Sequence, residues 1–339
     1  MQSFIQACLD GLLTGALYAL IGMGLALIFG VMRIVNFAHG AFLMLGMYFS
    51  WVLFDALQVN PYIGFLASGI FLFALGYLAY KMFIQPDRDL FGNIALFIVG
   101  FWVTWMLLNR LLVNPYVAFL GAAFIAVAFG YLLYIRPVRE RSDFNQILMT
   151  TGIALIVVDS VQVKFGADYH QTNIELVNKT LRLGPFTLNA ASLLSFVIAG
   201  ALILGLQQFV MRSRTGQALR AIAQNPGVAP LMGINVTRVQ GLSFALGIMM
   251  AGIAGGLLLP ALYLFPTVGD DYTLKAFVIV VLGGMGSISG AAIGGLVLGV
   301  AESITSLYLG NEWALAVDFV LFLLVLSLKP SGIFGRQRA

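Results

Sequence analysis

Three stretches of this chain gather residues able to do chemistry or to bind. The first is Gly30-Val31-Met32-Arg33-Ile34-Val35-Asn36-Phe37-Ala38-His39-Gly40, which brings a guanidinium, an amide and an imidazole close together. It lies between two apolar runs, and polar groups at membrane depth are costly and usually face a bundle interior or cavity. Asn36 and His39 therefore carry two readings. They are a helix cap and a buried hydrogen-bonded imidazole, or they are polar groups lining a solute path. The second stretch is Gly283-Gly284-Met285-Gly286-Ser287-Ile288-Ser289-Gly290. Backbone dipoles exposed at Gly283, Gly284, Gly286 and Ser287 could hold a small polar solute, as broken transporter helices do. The alternative is a tight turn between packed helices.

The third stretch runs from Arg212 to Arg238. Basic residues open it, including Arg214 and Arg220. Gly216, Ala218, Leu219, Ala221, Ile222 and Ala223 continue as a short amphipathic helix, and Pro226-Gly227 bends the chain. Leu231-Met232-Gly233-Ile234 then forms an apolar knob. Such an elbow can dock on another protein or lie on lipid.

Other chemistry is missing. The pattern G-x-x-x-x-G-K-[ST] is absent, and none of Lys81, Lys164, Lys179, Lys275 or Lys329 follows a glycine, so the chain has no cradle for ATP. One cysteine, Cys8, and two distant histidines, His39 and His170, offer neither a disulfide framework nor a metal cage. No cofactor is expected on this chain.

The elements that must position these stretches follow from composition. Only 9% of the 339 residues are charged, 60% are hydrophobic, and mean hydropathy is +0.97. A soluble domain carries about 25% charged residues. This excludes a soluble enzyme, a disordered chain and a nucleic-acid binder. It implies an all-α polytopic membrane protein, a single transmembrane domain over residues 1–339. At roughly 20 residues per crossing the chain has room for about ten helices.

Apolar runs fall at 11–30, 37–57, 61–84, 92–113, 115–135, 146–163, 189–211, 239–265, 275–285, 288–309 and 313–328. Of the 18 basic residues, 13 fall on one side when crossings alternate. Arg33, Lys81, Arg212, Arg214, Arg220, Arg238, Lys329 and Arg338 are among them. Arg110, Lys164, Lys179, Arg182 and Lys275 fall on the other. The positive-inside rule makes the first side cytoplasmic, with the N-terminus outside and the C-terminus inside. The 35 residues from Lys275 to Leu309 are too long for one crossing, so a broken or re-entrant segment is expected near 275–290.

Glycines stud the first helix (Gly11, Gly15, Gly22, Gly24) and the one after the elbow (Gly247, Gly252, Gly255, Gly256), as close helix packing requires. Trp102, Trp105 and Trp313 read as interface anchors. Glu302 and Asp318 lie inside apolar runs, where such groups are more often structural pairs than ligand sites. Asn60-Pro61-Tyr62 returns as Asn114-Pro115-Tyr116, with Gly76-Tyr77-Leu78 echoed by Gly130-Tyr131-Leu132. This marks 60–134 as a local duplication or a chance echo between apolar helices.

Taken together, Gly15-Ala16-Leu17-Tyr18-Ala19-Leu20, Phe29 to Gly40, Arg214 to Asn235, Leu274-Lys275-Ala276-Phe277, Leu282 to Gly290 and Lys329-Pro330-Ser331-Gly332-Ile333-Phe334-Gly335 resemble the LivH-type permease subunits of branched-chain amino acid ABC importers. The matches span nearly the whole chain, in family order. The resemblance implies alternating access in a bacterial inner membrane. It also implies partners: a second permease subunit of the LivM type, two cytoplasmic ATPases that use the ATP, and a periplasmic or lipoprotein substrate-binding protein. Lipid surrounds the assembly. By the same resemblance 212–238 is the coupling loop on the ATPase. The chain departs from the family in two ways. No Asp or Glu lies in 212–238, and the chain is longer by about one hairpin, which fits 60–134. Rival readings are a stand-alone secondary transporter or channel, which would need a half-chain repeat or paired ionisable groups, and a membrane-embedded enzyme, for which catalytic clusters are lacking.

Overall fold

A computed structural model describes residues 1–84, 143–172, 174–329 and 332–334. The described helices are α1 (Gln2–Met32), α2 (His39–Leu57), α3 (Pro61–Ala79), α4 (Asp143–Phe165), α5 (Ala190–Arg212), α6 (Arg214–Gln224), α7 (Val236–Leu258), α8 (Val268–Gly283), α9 (Ile288–Tyr308) and α10 (Ala314–Leu328). A two-stranded antiparallel hairpin, β1 (Thr180–Leu183) and β2 (Phe186–Asn189), precedes α5. Eight of these helices are long and apolar enough to cross a membrane; α6 and α8 are too short. The expected runs at 92–113 and 115–135, the second copy of the 60–134 echo, Trp102 and Trp105 lie outside the described residues.

Short polar side chains start five of the described helices. Asn60 accepts the amide of Tyr62 ahead of Pro61, and Asn189 accepts those of Ala191 and Ser192. Ser287 accepts the Gly290 amide at the head of α9. Each satisfies donors that a helix start leaves bare.

α1 and α7 form the buried centre. Their neighbours come close because glycines remove the obstacle. A Cβ on Gly11 would lie 2.6 Å from the Val300 Cα, and one on Gly15 would lie 2.9 Å from the Leu296 Cα. That seam joins α1 to α9, where Gly295 and Gly299 face it from the other side. Gly24 meets Gly247 on α7 in the same way. Without a hydrophobic drive inside lipid, such backbone contact is what holds helices together.

The bundle has two dissimilar ends. At the hairpin end, the Gln6 side chain donates to the Thr187 carbonyl at 2.6 Å and accepts its amide at 3.1 Å. His170 and Leu264 exchange backbone hydrogen bonds there at 2.9 Å. At the elbow end lie the last turn of α1, α6 and residues 332–334. Arg33, Lys81, Arg212, Arg214, Arg220, Arg238 and Lys329 belong to the elbow end, and Lys164, Lys179 and Arg182 to the other. Lys275 departs from the expected outer position, being largely buried inside the bundle on α8.

Candidate functional site

The sequence places a break near 275–290, and the structure has one at Gly284–Ser287, between the 16-residue α8 and the 21-residue α9. Its depth differs from the expectation. Gly286 packs on Gly30, in the last turn of α1, so the turn lies at the elbow end. The tail closes over it: the Ile333 amide donates to the Leu282 carbonyl at 2.9 Å and the Phe334 amide to the Gly283 carbonyl at 3.3 Å. Gly332 fits against Gly284. Gly283 and Gly290 pack backbone to backbone, and Ser287 caps α9. The carbonyls of Leu282 and Gly283 are thus occupied by the tail rather than offered to a path. The sequence misplaced the depth because α8 begins at Val268, with Asp270 and Asp271 in its first turn hiding the start from a hydropathy reading.

The irregular backbone at depth is residues 33–38. His39 Nε2 lies 3.0 Å from the Ile21 carbonyl, and Gly24 packs beside the same ring. Those residues sit eleven and eight positions before Met32. At 1.5 Å per residue this puts the start of α2 about 12–16 Å back along α1. The six residues between the helices must climb that distance, within their extended reach of about 20 Å. Arg33 turns the chain at the end of α1 with φ 55°.

Asn36 and His39 are fully buried. Asn36 Oδ1 accepts the Ala38 amide at 3.1 Å, and the Gly40 amide donates to Thr273 Oγ1 on α8 at 3.0 Å. The Phe37 amide donates to Thr150 Oγ1 on α4, and this hydroxyl is 3.3 Å from the Val35 carbonyl. Asn36 Nδ2 and His39 Nδ1 have no hydrogen-bond partner among the described residues. Nor do the amides of Ile34, Val35 and Asn36. Thr150 and Thr273 give no signal in the sequence, since a threonine in an apolar run usually bonds its own helix.

Sequence reading also left Lys275, Glu302 and Asp318 unconnected. Lys275 Nζ lies 2.5 Å from Glu302 Oε1, 3.0 Å from Tyr18 Oη and 4.0 Å from Asp318 Oδ2. Tyr18 donates to Glu302 Oε2 at 2.8 Å. The group ties α8, α9, α10 and α1 together away from water. The available signal was the cost of each charge at depth, which demands a partner without naming it.

The elbow is stiff. Ser213 Oγ accepts the Gly216 amide at 2.9 Å, and Gly216 lets α6 turn back onto the last carbonyls of α5. Leu219 and Ile222 are buried, Ala218 is packed on the core, Ala221 is half-buried, and Arg214 and Arg220 are exposed. Arg220 donates to the Met211 carbonyl at 3.0 Å. Asn225 Oδ1 accepts the amides of Gly227 and Val228, and Gly233 turns the chain with φ 76°. Leu231 is 83% and Met232 77% exposed at the tip. Ile234 departs from the expected knob, since it is packed against the core.

A bundle of membrane-length helices, with a re-entrant segment inside and a rigid apolar-tipped elbow at its basic end, defines a polytopic transport permease. The family model for the permease component of branched-chain amino acid transport systems matches residues 7–92 and 90–326, and the chain belongs to that family. It is similar to the high-affinity branched-chain amino acid permease LivH of Salmonella typhimurium, with 32% identity over 98% of this chain and 96% of the relative. It is also similar to the permease BraD of Pseudomonas aeruginosa, at 30% over 98% and 96%. A probable LivM permease of Methanocaldococcus jannaschii shares 29% identity over 36% of this chain and 40% of its own. No solved structure matches.

Proposed function

We propose that this permease moves branched-chain or other small neutral amino acids, or related amides, into the cytoplasm across a bacterial inner membrane. It works with a LivM-type second permease subunit, two ATPase subunits that bind and hydrolyse the ATP, and a substrate-binding protein outside. The observation that carries this reading is the elbow. Leu231 and Met232 stand exposed on a capped, proline-stiffened loop whose charges are all basic. Apolar side chains held rigidly at an end of the bundle favour docking, because little order is lost on binding. The basic rim calls for an ATPase cleft with acidic edges.

Leu231→Asp with Met232→Asp is expected to release the ATPase from the solubilised complex while the permease stays folded, since anchor truncations typically cost about 2 kcal/mol or more. Full co-purification with normal uptake would reject the docking role. Uptake by the reconstituted assembly, with a panel of amino acids, amides and urea, identifies the substrate. Cysteine labelling in sealed spheroplasts at positions 175 and 212 fixes orientation. Labelling from outside at 212 with 175 protected would reverse it.

A further inference from the structure

Among the described residues, one face of α8 is only partly covered. Tyr272, Ala276, Ile279 and Gly283 are buried, while Asp270 is exposed and Leu274, Phe277 and Val281 are half-buried. These four recur at helical spacing and form one stripe. The stripe starts beside the head of α2, where Gly40 packs on Gly269, with two exposed carboxylates, Asp270 and Asp271, and runs down to Met285, 55% exposed at the elbow end. Midway it meets the re-entrant segment. Phe37, 39% exposed, packs on Phe277 with ring centroids 5.1 Å apart.

Lipid cannot be what covers this face. The non-helical backbone of residues 33–38 lies along it at membrane depth, where the half-buried Val35 amide has no partner among the described residues and Asp270 and Asp271 stand exposed beside the head of α2. Non-helical backbone at that depth persists only against protein or a water-filled path. Elsewhere the bundle shows what a lipid face looks like. On α10 the exposed residues are Leu315, Phe319, Val320, Leu323, Leu324, Leu326, Ser327 and Leu328, apolar but for the serine in the last turn.

We infer that the Asp270–Leu274–Phe277–Val281 face of α8, together with Val35 and Phe37, forms this subunit's wall of the solute path. Its chemistry fits an amino acid zwitterion with an aliphatic side chain. Asp270 and Asp271 attract the ammonium group beside the head of α2. The half-buried Val35 amide, without a partner among the described residues, offers a donor to the carboxylate. Leu274, Phe277 and Phe37 receive the side chain. This rests on the importer reading above and adds to it where the solute passes.

The test is cysteine accessibility in the assembled complex, reconstituted with ATPase and binding protein. Cys8→Ala gives a thiol-free parent. Leu274→Cys, Phe277→Cys and Val281→Cys are then compared with Ala276→Cys and Ile279→Cys on the buried face. A membrane-impermeant charged thiosulfonate is expected to modify the first three and abolish their uptake, and to leave the last two unmodified. Modification of the open-face cysteines only by a lipid-soluble maleimide would mean that lipid covers the face, and would overturn the inference. Spontaneous disulfides to the second subunit without reagent access would mean a dry interface and overturn it equally. Asp270→Asn with Asp271→Asn is expected to slow uptake while ATPase co-purification stays complete, with Asp270→Glu and Asp271→Glu restoring the rate. Parent-rate uptake by the double Asn variant would remove the ammonium role. Loss of ATPase co-purification from the thiol-free parent itself would instead strike at the importer reading.

Discussion

Residues 33–38 and residues 284–287 both join two helices without helical backbone, and both were visible in the sequence as polar or glycine-rich interruptions. They differ in what satisfies them. The 284–287 turn sits at the elbow end, and the tail takes its free carbonyls. The 33–38 segment runs at depth, held by Thr150, Thr273 and its own Asn36, with part of its backbone unpaired among the described residues. The lesson is that a break in an apolar run says nothing of depth. What decides is which neighbouring groups can pair with the released amides and carbonyls.

The largest expected effect tests the rule that depth demands pairing. Lys275→Met leaves Glu302 and Asp318 as unbalanced carboxylates in the bundle, and removing one partner of a buried pair costs about 3–5 kcal/mol. A large drop in the thermal midpoint of the solubilised protein is expected. An unchanged midpoint would mean that water reaches the group. Next comes Gly40→Val at the head of α2. Its side chain would collide with the Gly269 carbonyl and Thr273 Oγ1 on α8. The expected loss is up to about 3 kcal/mol, and wild-type stability would show that α2 and α8 do not pack there.

Thr150→Val sharpens the comparison directly. It keeps the shape and removes the hydroxyl that serves the Phe37 amide and the Val35 carbonyl, for about 1–3 kcal/mol. Removing residues 330–339 is the matching change at the other joint. The two backbone bonds from the tail to α8 are lost beside solvent, so about 1 kcal/mol is expected, again read from the midpoint. If the truncation proves the costlier of these two, the contrast in depth is wrong. Leu231→Ser is the smallest change. At an exposed tip it should shift stability by less than about 0.5 kcal/mol, so any effect on ATPase retention reads docking alone.

Much of the fold was legible because lipid imposes a length on helices. The run 288–309 became α9 at 288–308, and 189–211 became α5 at 190–212. α1 starts at Gln2 rather than near 11, because hydropathy sees only the apolar part of a helix that continues past it. The stiff elbow was legible as an elbow, since its cap and prolines act within a few residues, whereas Asn36, read as a cap, instead bonds the Ala38 amide in the turn ahead of α2. Long-range facts were not legible. Lys275 and Glu302 are separated by 27 positions, Phe37 and Thr150 by 113, and no local pattern couples them. Ile234 looked like its neighbours Leu231 and Met232. The positive φ at Gly233 decides which of the three turns inward.

The glycine seam between α1 and α9 also limits how this protein can change over generations. Every amino acid that could replace Gly11 or Gly15 adds a Cβ, and the space for it is already filled by the backbone of α9. No first step is mild, so neither helix can drift alone. Divergence is confined to outward-facing positions and to paired changes in which one helix gives room as the other gains bulk. Comparing natural variants of this chain should therefore find the seam nearly silent while the outer faces of α3 and α10 accumulate substitutions freely.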